Sequence, residues 1–207
     1  MPQRYETLIL APHIDDEVLG CFSFLGPDAF VHCFGAEDRS YVSRKERIEE
    51  LRRAAGQRGF AWHVSDHPVN AYRCDALIAE IEARLGELTP RTLLVPQPCY
   101  NQDHRAVHDA AAVASRPHDR NWLVPNVLLY EQPHAVYWPH VAGAPEPNYF
   151  RPVDIEAKLA LYRVYASQVR GHRSPELLTA LARLRGAAVN VPAAEGFVCR
   201  RMLGPAS

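Results

Sequence analysis

The chain has 207 residues, 47% hydrophobic and 23% charged, with a formal net charge of -1. That length suits one domain spanning 1–207, and near-neutral charge gives no electrostatic case for nucleic acid or an anionic membrane. No apolar run is long enough to span a bilayer or forms a signal peptide, and five widely spaced cysteines without a Cys-x-x-Cys read as reduced thiols of a cytoplasmic protein.

Thr7 to Leu10 is an apolar run with the length of a buried strand, and Pro12 stops it. His13-Ile14-Asp15-Asp16-Glu17 follows, then an apolar run from Val18 to Leu25 suited to a helix that Gly26-Pro27 ends. A strand end feeding a helix start is where open α/β sheets place ligands. Here it carries one imidazole and three carboxylates. One turn can aim His13 and Asp16 at a single point, which leaves Asp15 free to handle a proton. A neutral imidazole and a carboxylate suit zinc, whose catalytic sites use three protein ligands and one open position. A helix cap explains one aspartate but neither His13 nor the other two acids.

Ala29 to Phe34 reads as a second strand, and Ser43 with Glu46 as a capping box opening a helix to about Arg58. Most arginines of that helix read as a solvated face. Phe60 to Val64 is a third strand, followed by Asp66, by type an ordinary turn residue. Asp75 to Leu88 is amphipathic, with Leu77, Ile78, Ile81 and Leu85 at helical spacing. Thr92 to Val95 is a fourth strand, ended by Pro96. Cys99-Tyr100-Asn101-Gln102-Asp103-His104 then opens a helix to about Ser115. His104 can supply a third ligand, with His108 one turn later as the alternative. No base is identifiable for Cys99, which reads as packing.

Asn126 to Tyr130 is a fifth strand. From Gln132 to Tyr149 there is no periodicity, but several prolines, His134, His140, Tyr137 and Trp138. A structureless segment of that length is usually functional, and its aromatics and imidazoles suit sugar recognition; a packed surface flap is the other reading. Asp154 to Val169 reads as a long helix, Pro175 to Arg185 as another capped by Ser174, and Ala194 to Phe197 as the start of a last short strand. The alternation predicts a single α/β domain with a Rossmann-like, largely parallel sheet flanked by helices.

His13-Ile14-Asp15-Asp16-Glu17, continued by Val18-Leu19-Gly20-Cys21, resembles the His-Pro-Asp-Asp-Glu signature of the PIG-L/LmbE-like zinc N-deacetylases. Ile14 stands where proline is usual, which bears on the stiffness of the turn and leaves the ligands intact. Asp103-His104 resembles the family's Asp-His ligand motif, with Asn101-Gln102 replacing the usual His-Pro before it. Arg47-x-x-Glu50 resembles a helix whose arginine faces substrate, and Asp66 stands where the family often keeps a substrate-contacting aspartate. Lys158, Ser167-Gln168 and Ala194-Glu195-Gly196-Phe197 resemble its later motifs.

The resemblance implies Zn2+ on His13, Asp16 and His104, with Asp15 as general base. It implies removal of an N-acetyl group from an amino sugar, free or carried on a glycoside, nucleotide or natural product, as a small-molecule substrate. Asn101 is expected to donate to the oxyanion in place of the family's histidine, and Arg47, Asp66 and His134 to bind substrate. No nucleic-acid or membrane partner is expected, and a homo-oligomer is left open. The rivals are a metal-dependent amidase on another amide, such as a thiol–sugar conjugate, and a non-catalytic sugar-binding protein on the same fold. Retention of Asp15 beside three ligands argues against the latter.

Overall fold

The computed structural model describes residues 4–118, 122–138 and 145–204. Its apolar runs become strands Thr7–Ala11 (β1), Ala29–Cys33 (β2), Ala61–Val64 (β3), Thr92–Pro96 (β4) and Asn126–Tyr130 (β5). Tyr149–Pro152 (β6) and Ala194–Arg201 (β7) complete one seven-stranded sheet of order β3-β2-β1-β4-β5-β7-β6. β1 to β5 run parallel, and β7 is antiparallel to both β5 and β6. The helices are Asp16–Cys21 (α1), Arg44–Arg58 (α2), Cys74–Leu88 (α3), Gln102–Ala114 (α4), Pro133–Tyr137 (α5), Ile155–Tyr162 (α6) and Pro175–Ala187 (α7). The architecture is the expected Rossmann-like α/β sheet.

All five residues of β1 are buried because helices cover both of its faces. Ile9 and Ala11 join Leu51, Leu159 and Leu178 on one side, while Leu8 and Leu10 join Leu77, Ile81 and Val107 on the other. Gly20 lets α1 approach the end of β5, since a Cβ there would lie 2.7 Å from the carbonyl oxygen of Glu131. The Ser43–Glu46 capping box forms as expected, and Gly59 closes α2 at φ 82°. Strand order reverses between β1 and β4, so the loops leaving these two strands diverge and open a crevice.

Three elements differ from their sequence reading. α1 gives way at Phe22 to a 3-10 turn, Phe22–Phe24, rather than running to Leu25. The cause is Glu195, whose carboxylate takes the N–H groups of Phe22 (3.0 Å) and Ser23 (2.8 Å). The helix expected over Asp154–Val169 ends at Tyr162 and resumes only as a 3-10 turn at Ala166–Gln168. There Glu50 captures the N–H and hydroxyl of Ser167, and Tyr165 donates to Glu17, pulling the chain off the helix axis. The segment read as loop contributes α5 and leads into β6, an edge strand that pairs with β7. No helix among the described residues is long and apolar enough to cross a membrane.

Lys158 completes the Glu195 junction. Its ammonium donates to Glu195 Oε1 and to the Leu19 carbonyl, both at 2.7 Å, from a fully enclosed position. Glu195→Ala therefore strands a buried charge and should cost about 3–5 kcal/mol in urea unfolding. Adding Lys158→Met should recover part of that loss, because no unpaired ammonium then remains.

Candidate functional site

Past Ala11 the chain turns tightly, and Asp15 takes up φ 102°, a left-handed conformation unfavourable for a residue with a Cβ. The turn is held from inside. Asp15 N–H donates to Glu17 Oε2 (3.1 Å), and the buried Arg47 donates to the Ile14 carbonyl. Asp15 stands at the N-cap of α1 without a side-chain capping hydrogen bond, while Asp16 and Glu17 occupy the first turn.

Asp16 Oδ2 lies 3.6 Å from His13 Nδ1 and 3.4 Å from His104 Nε2. Zinc bonds of about 2.0–2.1 Å in tetrahedral geometry place neighbouring ligand atoms about 3.3 Å apart, so these donors fit such an ion. The far side of His13 is also arranged, its Nε2 standing 2.9 Å from Asp103 Oδ2. That pairing puts the ring proton on Nε2 and turns Nδ1 toward the shared point. Asp103 in turn accepts the backbone N–H groups of Asn70 (2.6 Å) and Tyr72 (3.3 Å). His104 Nδ1 is buried without a hydrogen-bond partner.

The charges are unbalanced as they stand. Burial pushes Asp16 up to about 7 despite the opposing pull of His13, and pushes Glu17 up to about 7 despite its bond from Tyr165. Burial, with repulsion from His13 and His134, holds His104 well below its ordinary value and therefore neutral. His13 stands above its ordinary value because Asp103, Asp16 and Asp15 outweigh the effect of burial. A divalent cation between a neutral imidazole and these carboxylates relieves the imbalance.

Asp15 points elsewhere. Its Oδ2 takes Arg173 Nη1 at 2.9 Å, and its Oδ1 lies 3.6 Å from Arg47 Nη2. Burial raises this carboxyl, and the two arginines oppose the rise. Arg173 occupies a 3-10 turn at Gly171–Arg173 and also donates to Gln168 Oε1 at 2.9 Å. No sequence motif marked it, although it lies between Ser167-Gln168 and the helix cap at Ser174.

These groups share a cavity of about 130 Å³, which Asn101, His134 and Arg173 also line. Asn101 Oδ1 caps α4 by accepting Asp103 N–H at 2.9 Å, so its amide NH2 is what it can offer the cavity. Burial, then Arg173 and His13, lower His134 to about 4. Its Nε2 is 3.1 Å from Cys99 Sγ, a pairing that sequence reasoning missed. Burial holds that thiol up at about 11, so the two meet as neutral groups. Cys99, His104 and His134 make a second, overlapping donor group.

Two expected substrate contacts fall outside the cavity. Arg47, 1% exposed, lies behind the turn and pairs with Glu50 at 2.6 Å. Asp66, its side chain 90% exposed, pairs with Arg44. His108 turns its Nδ1 to the Pro96 carbonyl at 2.9 Å, away from Asp16. His140 lies outside the described residues.

No protein-family model and no curated protein matches the chain. Solved structures do. N,N'-diacetylchitobiose deacetylase from Pyrococcus horikoshii superposes with a TM-score of 0.74 at 20% identity, over 94% of this chain and 83% of its own. The A40926 pseudoaglycone deacetylase Dbv21 gives 0.74 at 22% identity, over 98% of this chain and 100% of its own. A 4-carboxy-2-hydroxymuconate hydratase from Pseudomonas putida KT2440 gives 0.68 at 17% identity, over 98% and 99%. The chain has the fold of the LmbE/PIG-L-type deacetylases. At these identities the likeness is one of fold, and the hydratase shows that fold alone does not choose the chemistry.

The geometry separates the two candidate third ligands. His104→Ala should remove the one equivalent of metal held in the cavity, measured by elemental analysis after removal of free ions. His108→Ala should leave it unchanged; the reverse pattern would reject the assignment.

Proposed function

We propose that the chain is a zinc-dependent amide hydrolase that removes an N-acetyl group from an amino sugar, or from a glycoside or natural product carrying one. The observation behind this reading is one cavity holding both a three-donor cluster and an arginine-paired aspartate that is not among those donors. His13, Asp16 and His104 would hold the ion, which supplies a Lewis acid able to activate water and polarise the amide carbonyl. Asp15 accepts the proton of the attacking water at its carboxylate and returns it to the leaving amine. Arg173 and Arg47 keep that carboxylate aimed, so Arg47 serves the substrate through Asp15 rather than by contact. The Asn101 amide donates to the developing oxyanion, and the neutral His134 offers a ring face to the acyl group or sugar. Asp66 stays outside this scheme. The five free thiols support a reducing, cytoplasmic setting. The proposed partner is a small N-acylated sugar, not nucleic acid or membrane.

A second reading is metal-assisted hydration of a small carboxylated substrate. The hydratase on the same fold and the Arg173 guanidinium lining the cavity favour it, since arginine pairs well with carboxylates. Incubating the zinc-loaded protein with a panel of N-acetyl amino sugars, their glycosides, thiol–sugar amides and unsaturated carboxylic acids decides between them. Release of a primary amine from an N-acetyl sugar is expected. Turnover confined to the acids would establish the hydratase, and binding without any turnover would leave only a sugar-binding protein.

The role of Asp15 makes a sharper demand. Asp15→Asn should retain a full complement of zinc while turnover falls by roughly two to four orders of magnitude, the usual worth of a positioned base. Loss of zinc in that variant would place Asp15 among the ligands, and near-normal turnover would remove it from the chemistry.

A further inference from the structure

A second cluster of ligand-type side chains lies at the β3 edge of the sheet and does not line the cavity. β2 and β3 pair in parallel with His32 beside His63, so both imidazoles leave the same face, their ring centroids 5.2 Å apart. α3 crosses that face and brings Glu80. Its Oε1 meets His32 Nε2 at 2.8 Å and the hydroxyl of Ser65, while its Oε2 meets His67 Nε2 at 2.6 Å. Burial works against the Glu80 carboxylate, yet the bonds from His32, Ser65 and His67 hold it well below the ordinary range. Ligand atoms of His32, His63 and Glu80 all fall within 4.8 Å of one another.

We propose that His32, His63 and Glu80 form a second site for a divalent transition metal such as zinc, distinct from the cavity. Two imidazoles and one carboxylate from three separate elements are a zinc donor set. His67 and Ser65, bound to the same carboxylate, supply the outer contacts that orient a ligand. Ligand atoms around zinc stand about 3.3 Å apart, so the cluster must tighten, and His63, exposed at the sheet edge, is free to close the gap. His32 is lowered by burial and therefore neutral, as ligation requires. One local adjustment is needed. Arg84 Nε lies 3.3 Å from His32 Nδ1, which keeps the ring proton on Nε2. When Nε2 ligates, Nδ1 takes the proton and Arg84 swings out toward Glu87, already its partner at 2.6 Å.

The site ties β2, β3 and α3 together at the root of the 65–73 loop. That same loop gives the Asn70 and Tyr72 N–H groups to Asp103, the carboxylate that orients His13. A cation at the sheet edge therefore braces the loop on which the first donor cluster leans.

Zinc alone, titrated into chelator-stripped full-length protein and counted after removal of free ion, tests the site. Wild type should hold two equivalents, His63→Ala one, Asp16→Ala one, and the double variant none. His63 is exposed, so its removal leaves the fold in place. Amide exchange over 65–73 should slow on adding zinc to Asp16→Ala and stay unchanged in the double variant. As much zinc in His63→Ala as in wild type overturns the proposal. One equivalent in wild type, kept by Asp16→Ala and lost by His63→Ala, upholds this site while rejecting the metal in the cavity.

Discussion

Three consecutive acids, Asp15, Asp16 and Glu17, are all buried, and the rest of the structure is arranged to make that tolerable. Burying carboxylates is costly unless each finds a partner, and adjacent ones repel as well. The left-handed Asp15 sends the three side chains in different directions. Asp15 meets Arg47 from α2 and Arg173 from beyond α6; Asp16 meets imidazoles from its own loop and from α4; Glu17 meets Tyr165. Four distant segments thus converge on five residues at the end of one strand. The break after α6 accompanies this contact, with Tyr165 donating to Glu17 from just beyond the helix end.

What the sequence disclosed is what is encoded locally. His13 and Asp16 are three residues apart at a helix mouth, so their convergence follows from one turn of chain, and His104 opens a helix after another strand. The positions of β1 to β5 followed from apolar runs, and α2 from its capping box, while β6 carried no such run. What stayed hidden depends on residues far apart in the chain. Arg173 meets Asp15 across 158 positions, and the Cys99–His134 contact spans 35. Glu195 shortens α1 from 173 residues away. Motif likeness has Arg47 facing substrate, whereas its side chain turns inward to Glu50 and the Ile14 carbonyl. Asp66 behaves as its residue type suggests, a turn aspartate beside a basic neighbour.

The sheet explains why these contacts assemble where they do. Reversal of strand order between β1 and β4 leaves a gap that no crossover helix fills, and the loops on its two sides carry His13 and His104. Any chain of this topology has the crevice, which is why deacetylases and a hydratase can share it. The fold leaves the choice of chemistry to the side chains that line the crevice.

On the proposed reading, the Asp15–Arg173 pair does more than aim a base. The ion pair lasts only while Asp15 is charged. Once Asp15 accepts the water proton, its hold on the guanidinium weakens, at the moment when negative charge appears on the substrate oxygen. Asn101 and His134, both neutral, can offer that oxygen only hydrogen bonds, and Arg47 is fixed behind the turn by Glu50 and the Ile14 carbonyl. Arg173, lining the cavity and tethered otherwise by a neutral amide at 2.9 Å, is the side-chain cation free to respond beside the proposed ion. Proton transfer and oxyanion stabilisation are then coupled through one side chain, which explains why the base is paired with arginine rather than left to burial alone.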